Sequence, residues 1–190
     1  MRALILQDSY LLNYFNDMYK YLHTGPPVYF VVKDGYNYTV PEQWNKICMS
    51  GGCSNNSLGV QVAFAALQPN YSSIAEPASS WVDSYLAWVD PVAKCCGYYA
   101  NKSGLELCEI WNTSITDCIQ CLPKNTTGPS THPNYTAFLE FLPLFKVSIP
   151  DVNCDQGGHA AFNDAIQMIP NEGSSNISEI GGLHQLCLKD

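Results

Sequence analysis

The first clear pattern begins at Leu11. Leu11, Phe15, Met18 and Leu22 recur at i, i+4, i+7 and i+11, the spacing of one helical face. Asp8 or Ser9 can cap this helix, and Gly25-Pro26-Pro27 stops it. Val28-Tyr29-Phe30-Val31-Val32 follows as a β-branched and aromatic run of strand length, and Asp34-Gly35 turns it. An unbroken apolar run predicts a strand buried on both faces. Tyr36 to Ser50 reads as loop. Ser57 to Leu67 reads as a helix, with Leu58, Val62 and Ala65 on one face and Asn55 or Asn56 as cap.

The strongest helix signal lies further on. Ser80-Trp81-Val82-Asp83 fits a capping box, Trp81, Tyr85 and Trp88 follow at helical spacing, and Pro91 ends the element. Such an aromatic stripe is core more often than it is a ligand cage. Lys124 to Tyr135 is an exposed loop. Phe138 to Phe145 predicts a short apolar helix or turn broken by Pro143. No basic face accompanies it, so burial is favoured over membrane contact. Ala160 to Ile169 fits strand or helix. The last twenty residues show a turn cluster, Gly181-Gly182 and Cys187, without a periodic face.

Composition narrows the classes. A chain of 190 residues suits one domain with a real core. Charged residues make up 14%, the net charge is −8, and only nine residues are basic, with no run of them. Nucleic acid is excluded as a partner, because phosphate neutralisation needs clustered cations. An acidic metabolite or an anionic lipid surface suits this charge equally poorly.

Cysteine and asparagine add the chemistry. Five of the nine cysteines fall within residues 95–121. Eight positions fit the N-glycosylation acceptor pattern: Asn37, Asn55, Asn70, Asn101, Asn112, Asn125, Asn134 and Asn176. Glycan is added in the secretory lumen, where thiols oxidise, so the two signals support each other and predict a disulfide-stapled luminal domain. Cys48 and Cys53 flank two glycines and suit a small local disulfide loop. Adjacent Cys95 and Cys96 need separate distant partners. Met1 to Leu6 is too short for a signal peptide, and no run reaches the ~20 apolar residues of a membrane span. These features predict a piece of a longer protein.

Alternative chemistry is weaker. Cys118-Ile119-Gln120-Cys121 has redox-motif spacing, but it sits in an acceptor-rich loop before Pro123 rather than at a helix start. Zinc on Cys118, Cys121 and two further ligands lacks a second close pair. His159 stands in Gly-Gly-His-Ala as a candidate base, with a structural histidine the simpler reading. No hydrolase elbow, metalloprotease helix or phosphate loop is present in the sequence. The residues favour a binding or interaction domain, no cofactor and no enzyme.

An ordered series of motifs then points to a family. Gln7-Asp8-Ser9-Tyr10-Leu11, Gly25-Pro26-Pro27-Val28-Tyr29-Phe30-Val31, Gly51-Gly52-Cys53, Ser79-Ser80-Trp81-Val82-Asp83, Cys95-Cys96, Phe141-Leu142-Pro143 and Gly157-Gly158-His159-Ala160-Ala161 resemble the last large luminal domain of the Niemann–Pick type C sterol transporter family. The resemblance runs from about residue 7 to about residue 170. It implies an α+β, ferredoxin-like domain at 7–170, a disulfide-rich insertion at 95–121, and divergent or disordered ends at 1–6 and 171–190. It implies the pairings Cys48–Cys53, Cys95–Cys154, Cys96–Cys121 and Cys108–Cys118. The parent would be a multi-span protein of the Patched superfamily, moving cholesterol or a related sterol out of late endosomes or lysosomes. Other luminal domains and the membrane domain of that parent would be the partners, with sterol a ligand of the whole protein. The family's strand after Gly-Gly-His-Ala is not visible in Ser174–Asp190, which predicts a sheet short of one strand and an odd Cys187. A free-standing secreted binding protein and a secreted hydrolase using His159 are the competing readings.

Overall fold

A computed structural model describes residues 10–21, 24–32, 36–38, 40–112, 114–123, 133–159, 161–170 and 177–189. It is a mixed helix-and-sheet fold. The elements in order are α1 (Tyr10–Tyr21), β1 (Thr24–Val32), α2 (Pro41–Trp44), α3 (Leu58–Ala66), β2 (Ser79–Ser80), α4 (Trp81–Val89), β3 (Gly97–Tyr99), β4 (Cys118–Gln120), α5 (Tyr135–Val147), β5 (Ile166–Pro170) and β6 (Ile177–Lys189).

One antiparallel sheet joins β1, β6, β2 and β5. Strand β6 holds it together. Its first half pairs with β5, from Ile177 opposite Pro170 to Gly182 opposite Ile166. Its second half pairs with β1, from Gly182 opposite Val32 to Lys189 opposite Thr24. The expected unstructured tail is therefore corrected over 177–189, and so is the expected missing strand. Gly182 faces a partner from both β5 and β1, so the Gly181-Gly182 step, which shows no periodic face in the sequence, marks the exchange of partners. Register with distant strands sets this element, not its own periodicity. The expectations for residues 1–9 and 171–176 lie outside the described residues.

Strand β1 also departs from expectation. Val28, Phe30 and Val32 are half-buried, whereas Tyr29 is 51% exposed and Val31 65% exposed. Alternation is what an antiparallel sheet with one covered face produces, despite an apolar run. Val28 and Phe30 rest on a small cluster around Val62 and Ala78, and Val32 meets the main core.

The main core lies between α4 and α5. Trp81, Val82, Tyr85, Trp88 and Val89 of α4 are buried, as are Phe138, Phe141, Leu142 and Phe145 of α5. Tyr85 meets Phe138 and Phe145 edge to face at 4.9 and 5.4 Å, and Trp88 meets Phe145 at 5.6 Å. Two polar side chains of this layer bond across it: the Tyr85 hydroxyl donates to the Phe138 carbonyl at 3.0 Å, and Trp88 Nε1 to Ser148 Oγ at 3.0 Å. Each aromatic pair adds about 0.5–1.5 kcal/mol beyond simple area burial.

Three helix starts are capped by side chains. Ser57, rather than Asn55 or Asn56, caps α3; Ser80 caps α4; Asn134 caps α5, its Oδ1 accepting from the Ala137 amide at 2.9 Å. Helix α5 runs through Pro143 instead of breaking there. Proline deletes one amide bond, but Phe141, Leu142, Leu144 and Phe145 are all buried around it, and their burial offsets that loss. Tyr36 to Ser50, expected as loop, holds the short helix α2 and four core residues, Tyr38, Trp44, Ile47 and Cys48. Tyr38 sits 4.8 Å from the Trp81 ring, which draws this segment inward.

Candidate functional site

The eight cysteines of the sequence reading come together as four disulfides, Cys48–Cys53, Cys95–Cys154, Cys96–Cys121 and Cys108–Cys118, with Cα separations of 5.4–5.8 Å. The adjacent pair diverges: Cys95 ties to the segment after α5, and Cys96 to the end of β4. Residues 95–121 are thereby fastened to the core at Cys95, Cys96 and Cys121, all buried. Within them, β3 and β4 form a small antiparallel ribbon that pairs Gly97 with Gln120 and Tyr99 with Cys118. A Cβ on Gly97 would lie 2.4 Å from the Ile110 side chain, so only glycine lets the ribbon close on the Cys108 loop. Tyr98 carries the ribbon onto α5, 5.6 Å from Phe141.

The Cys48–Cys53 loop has a second restraint. Asp83 Oδ1 accepts from the Met49 and Ser50 amides at 2.7 and 2.8 Å. In the sequence, Asp83 reads as the acidic partner of a capping box; in the fold it grips a loop 34 positions upstream. Its helical spacing gave no sign of this. Ser57 grips the same loop from the other side, its hydroxyl donating to the Cys48 carbonyl at 2.5 Å.

This arrangement rules several chemistries in or out. Cys48, Cys53 and Asp83 place their ligand atoms within 4.8 Å of one another, but both sulfurs are spent in a disulfide. Cys118 and Cys121 are likewise committed to different partners, Cys108 and Cys96, so neither the redox pair nor a zinc site forms from them. His159 is exposed, and what it contributes is its backbone amide, which donates to the Ser148 carbonyl at 3.1 Å. The two glycines before it matter more. A Cβ on Gly157 would meet the Ser148 carbonyl at 2.6 Å, and one on Gly158 the Phe145 carbonyl at 2.7 Å. Gly-Gly-His is therefore a docking corner against the end of α5. Among the described residues, no side-chain hydrogen bond or ion pair engages His159.

Of the acceptor asparagines, Asn37, Asn55, Asn70, Asn101 and Asn134 are exposed and Asn112 is half-buried. Asn125 and Asn176 lie outside the described residues, and the side chain of Cys187 does too. A surface concavity lined by Asn101, Lys102, Ser103, Gly104, Leu105 and Glu106 is largely polar and suits no sterol. Exposed apolar side chains gather elsewhere, at Tyr29 and Val31 on β1 and at Tyr10, Tyr14 and Tyr21 on α1. No described helix is long and apolar enough to cross a membrane.

No family model matches the chain. Individual relatives do. The chain is 40% identical over 166 residues to NPC intracellular cholesterol transporter 1 of Sus scrofa, an alignment covering 86% of this chain and 12% of that protein. It is 37% identical over 163 residues to NPC1-like intracellular cholesterol transporter 1 of Mus musculus, covering 85% and 12%. It is 36% identical over 174 residues to NPC intracellular cholesterol transporter 1 homolog 1b of Drosophila melanogaster, covering 91% and 14%. The chain thus spans 12–14% of the length of these curated relatives.

Proposed function

Because the chain belongs, as a segment, to the family of NPC and NPC1-like intracellular cholesterol transporters, we propose that it serves as one luminal domain of a sterol transporter. The observation that carries this reading is 40% identity sustained over 86% of the chain. Four disulfides and eight acceptor asparagines support the luminal side. We place the domain from residue 7 past the expected limit of 170 to include strand β6 at Ile177–Lys189, with 95–121 as an insertion on a ferredoxin-like core, and the acceptor asparagines as glycan sites. The compartment in this reading is the lumen of late endosomes or lysosomes.

The role is mechanical. The staples and the α4–α5 core make a rigid body, and a rigid body can hold two neighbours in register. In this reading its partners are the other luminal domains and the membrane domain of the parent, and together they line a path for sterol. The exposed apolar side chains of β1 offer one such docking face. No catalytic step and no cofactor enter this account.

The test is a chimaera. The aligned segment of the Sus scrofa transporter is replaced by this chain, and cholesterol clearance is measured in cells lacking their own transporter. The expected result is restored clearance. A chimaera that reaches its compartment and is fully oxidised, yet clears no cholesterol, overturns the proposal.

A further inference from the structure

The acceptor asparagines are not equivalent once the chain is folded. The acceptor pattern needs a hydroxyl two residues beyond the asparagine. At Asn101 and Asn134 the whole triplet is exposed, from Asn101 to Ser103 and from Asn134 to Thr136. At Asn55 the asparagine is exposed but its hydroxyl partner, Ser57, is 0% exposed. The Ser57 hydroxyl donates to the Cys48 carbonyl at 2.5 Å and accepts from the Val60 amide at 3.2 Å, so both of its roles are taken.

The sequestering group belongs to a disulfide. Cys48 is bonded to Cys53, and Asn55 follows Cys53 by two positions. The surrounding backbone leaves no slack. The Leu58 amide donates to the Lys46 carbonyl at 2.7 Å and the Gly59 amide to the Ile47 carbonyl at 2.9 Å. A Cβ on Gly59 would lie 2.8 Å from that same Ile47 oxygen. The segment that carries Cys48 and the first turn of α3 are therefore held together, and seating that turn removes the hydroxyl from reach.

We propose that Asn55 is a timed modification site, open to glycan transfer only while Cys48 and Cys53 are still thiols. The inference rests on the luminal reading above. In the transfer, Asn55 Nδ2 gives up a proton and bonds to C1 of a lipid-diphosphate-linked oligosaccharide. The C1–oxygen bond breaks, and the lipid diphosphate leaves with the electron pair. In the competing step, the two thiols give two protons and two electrons to a protein disulfide, which becomes a dithiol. Whichever step comes first decides whether that molecule carries sugar at Asn55. Because the Asn55 side chain is exposed, the folded domain accommodates the glycan once it is attached.

The experiment directs the full chain into the secretory lumen and measures occupancy at each acceptor by enzymatic deglycosylation in heavy-oxygen water and mass spectrometry. Asn101 and Asn134 are internal references. In Cys48→Ala/Cys53→Ala, the ratio of Asn55 to Asn134 occupancy rises roughly twofold or more, because the acceptor triplet stays open longer. In Cys108→Ala/Cys118→Ala, which loses a disulfide elsewhere, that ratio stays at the wild-type value. An unchanged ratio in the first variant, or an equal rise in the second, overturns the proposal. Sugar at no acceptor at all sinks the luminal reading and this inference with it. Sugar at Asn101 and Asn134 with Asn55 indifferent to its disulfide sinks the timing alone.

Discussion

Removing Cys95–Cys154 is expected to cost the domain more than removing Cys48–Cys53, and the gap can be worked out. A disulfide constrains the unfolded chain by an entropy that grows with the logarithm of the loop it closes. Cys95 and Cys154 are 59 positions apart, which corresponds to about 4.3 kcal/mol at 25 °C. With Cys96–Cys121 intact, however, that circuit is short-cut to roughly 35 residues, lowering the figure to about 3.8 kcal/mol. Cys48 and Cys53 are 5 apart, which corresponds to about 2.2 kcal/mol. The side chains of Cys48, Cys95 and Cys154 are all buried, so their packing losses are similar and largely cancel. The comparison uses Cys95→Ala/Cys154→Ala and Cys48→Ala/Cys53→Ala, which leave no orphan partner thiol. Unfolding in urea without reductant is followed by the fluorescence of buried Trp81 and Trp88. A difference of about 1.6 kcal/mol with a slope near 2 kcal/mol/M puts the two midpoints about 0.8 M apart. Equal midpoints, or a lower midpoint for the Cys48 variant, would refute the loop-entropy reasoning and shift the weight to local contacts.

The remaining predictions address single groups. Asp83→Asn replaces two charge-assisted acceptances with weaker ones and is expected to cost about 1.5–3 kcal/mol, with hydrogen exchange accelerated first at the Met49 and Ser50 amides. Gly158→Ala forces a Cβ to within 2.7 Å of the Phe145 carbonyl and is expected to cost about 1–3 kcal/mol, while neighbouring exposed His159→Ala stays within about 0.5 kcal/mol; thermal melts of the two separate them. Burial pushes the Tyr38 and Tyr85 phenols above their ordinary value of 10.0, and nearby Tyr36 adds to the rise at Tyr38. The folded state then keeps protons that the unfolded state releases. Stability is full below about pH 10 and falls above it by about 1.4 kcal/mol per pH unit for each group. Urea titrations across the alkaline range should show a shallower fall in Tyr38→Phe/Tyr85→Phe than in wild type.

Legibility in the sequence followed the range of the interactions. Helix α4 was readable because its cap, aromatic spacing and stop signal all lie within a few residues. The stapled character of 95–121 was readable from cysteine and acceptor density. Strand β6 was not, because a stretch with a Gly-Gly step inside it shows no periodic face of its own, and its register comes from two other strands laid beside it. Pro143 misled for a related reason: the local rule against proline holds, but buried neighbours on both sides outweigh it. Tyr38 and Trp44 hid in a segment with loop signals, and only the contact of Tyr38 with Trp81 and the burial of Trp44 reveal them as core. Asp83 was found for the wrong task, since its loop partners are remote in sequence. The one-sided exposure of β1 needed the sheet itself, because an apolar run does not say which of its residues are covered.

The long β1–β6 pairing has a consequence for synthesis. Roughly 145 residues separate the end of β1 from the start of β6, which at ribosomal rates of ~5–20 residues per second is a wait of about 7–30 s. Throughout that wait the nascent chain carries a β-branched, aromatic segment without its main partner strand. Segments of that kind recruit one another between chains. Until β6 emerges, Val28–Val32 therefore presents an unpaired strand edge open to strands of other chains.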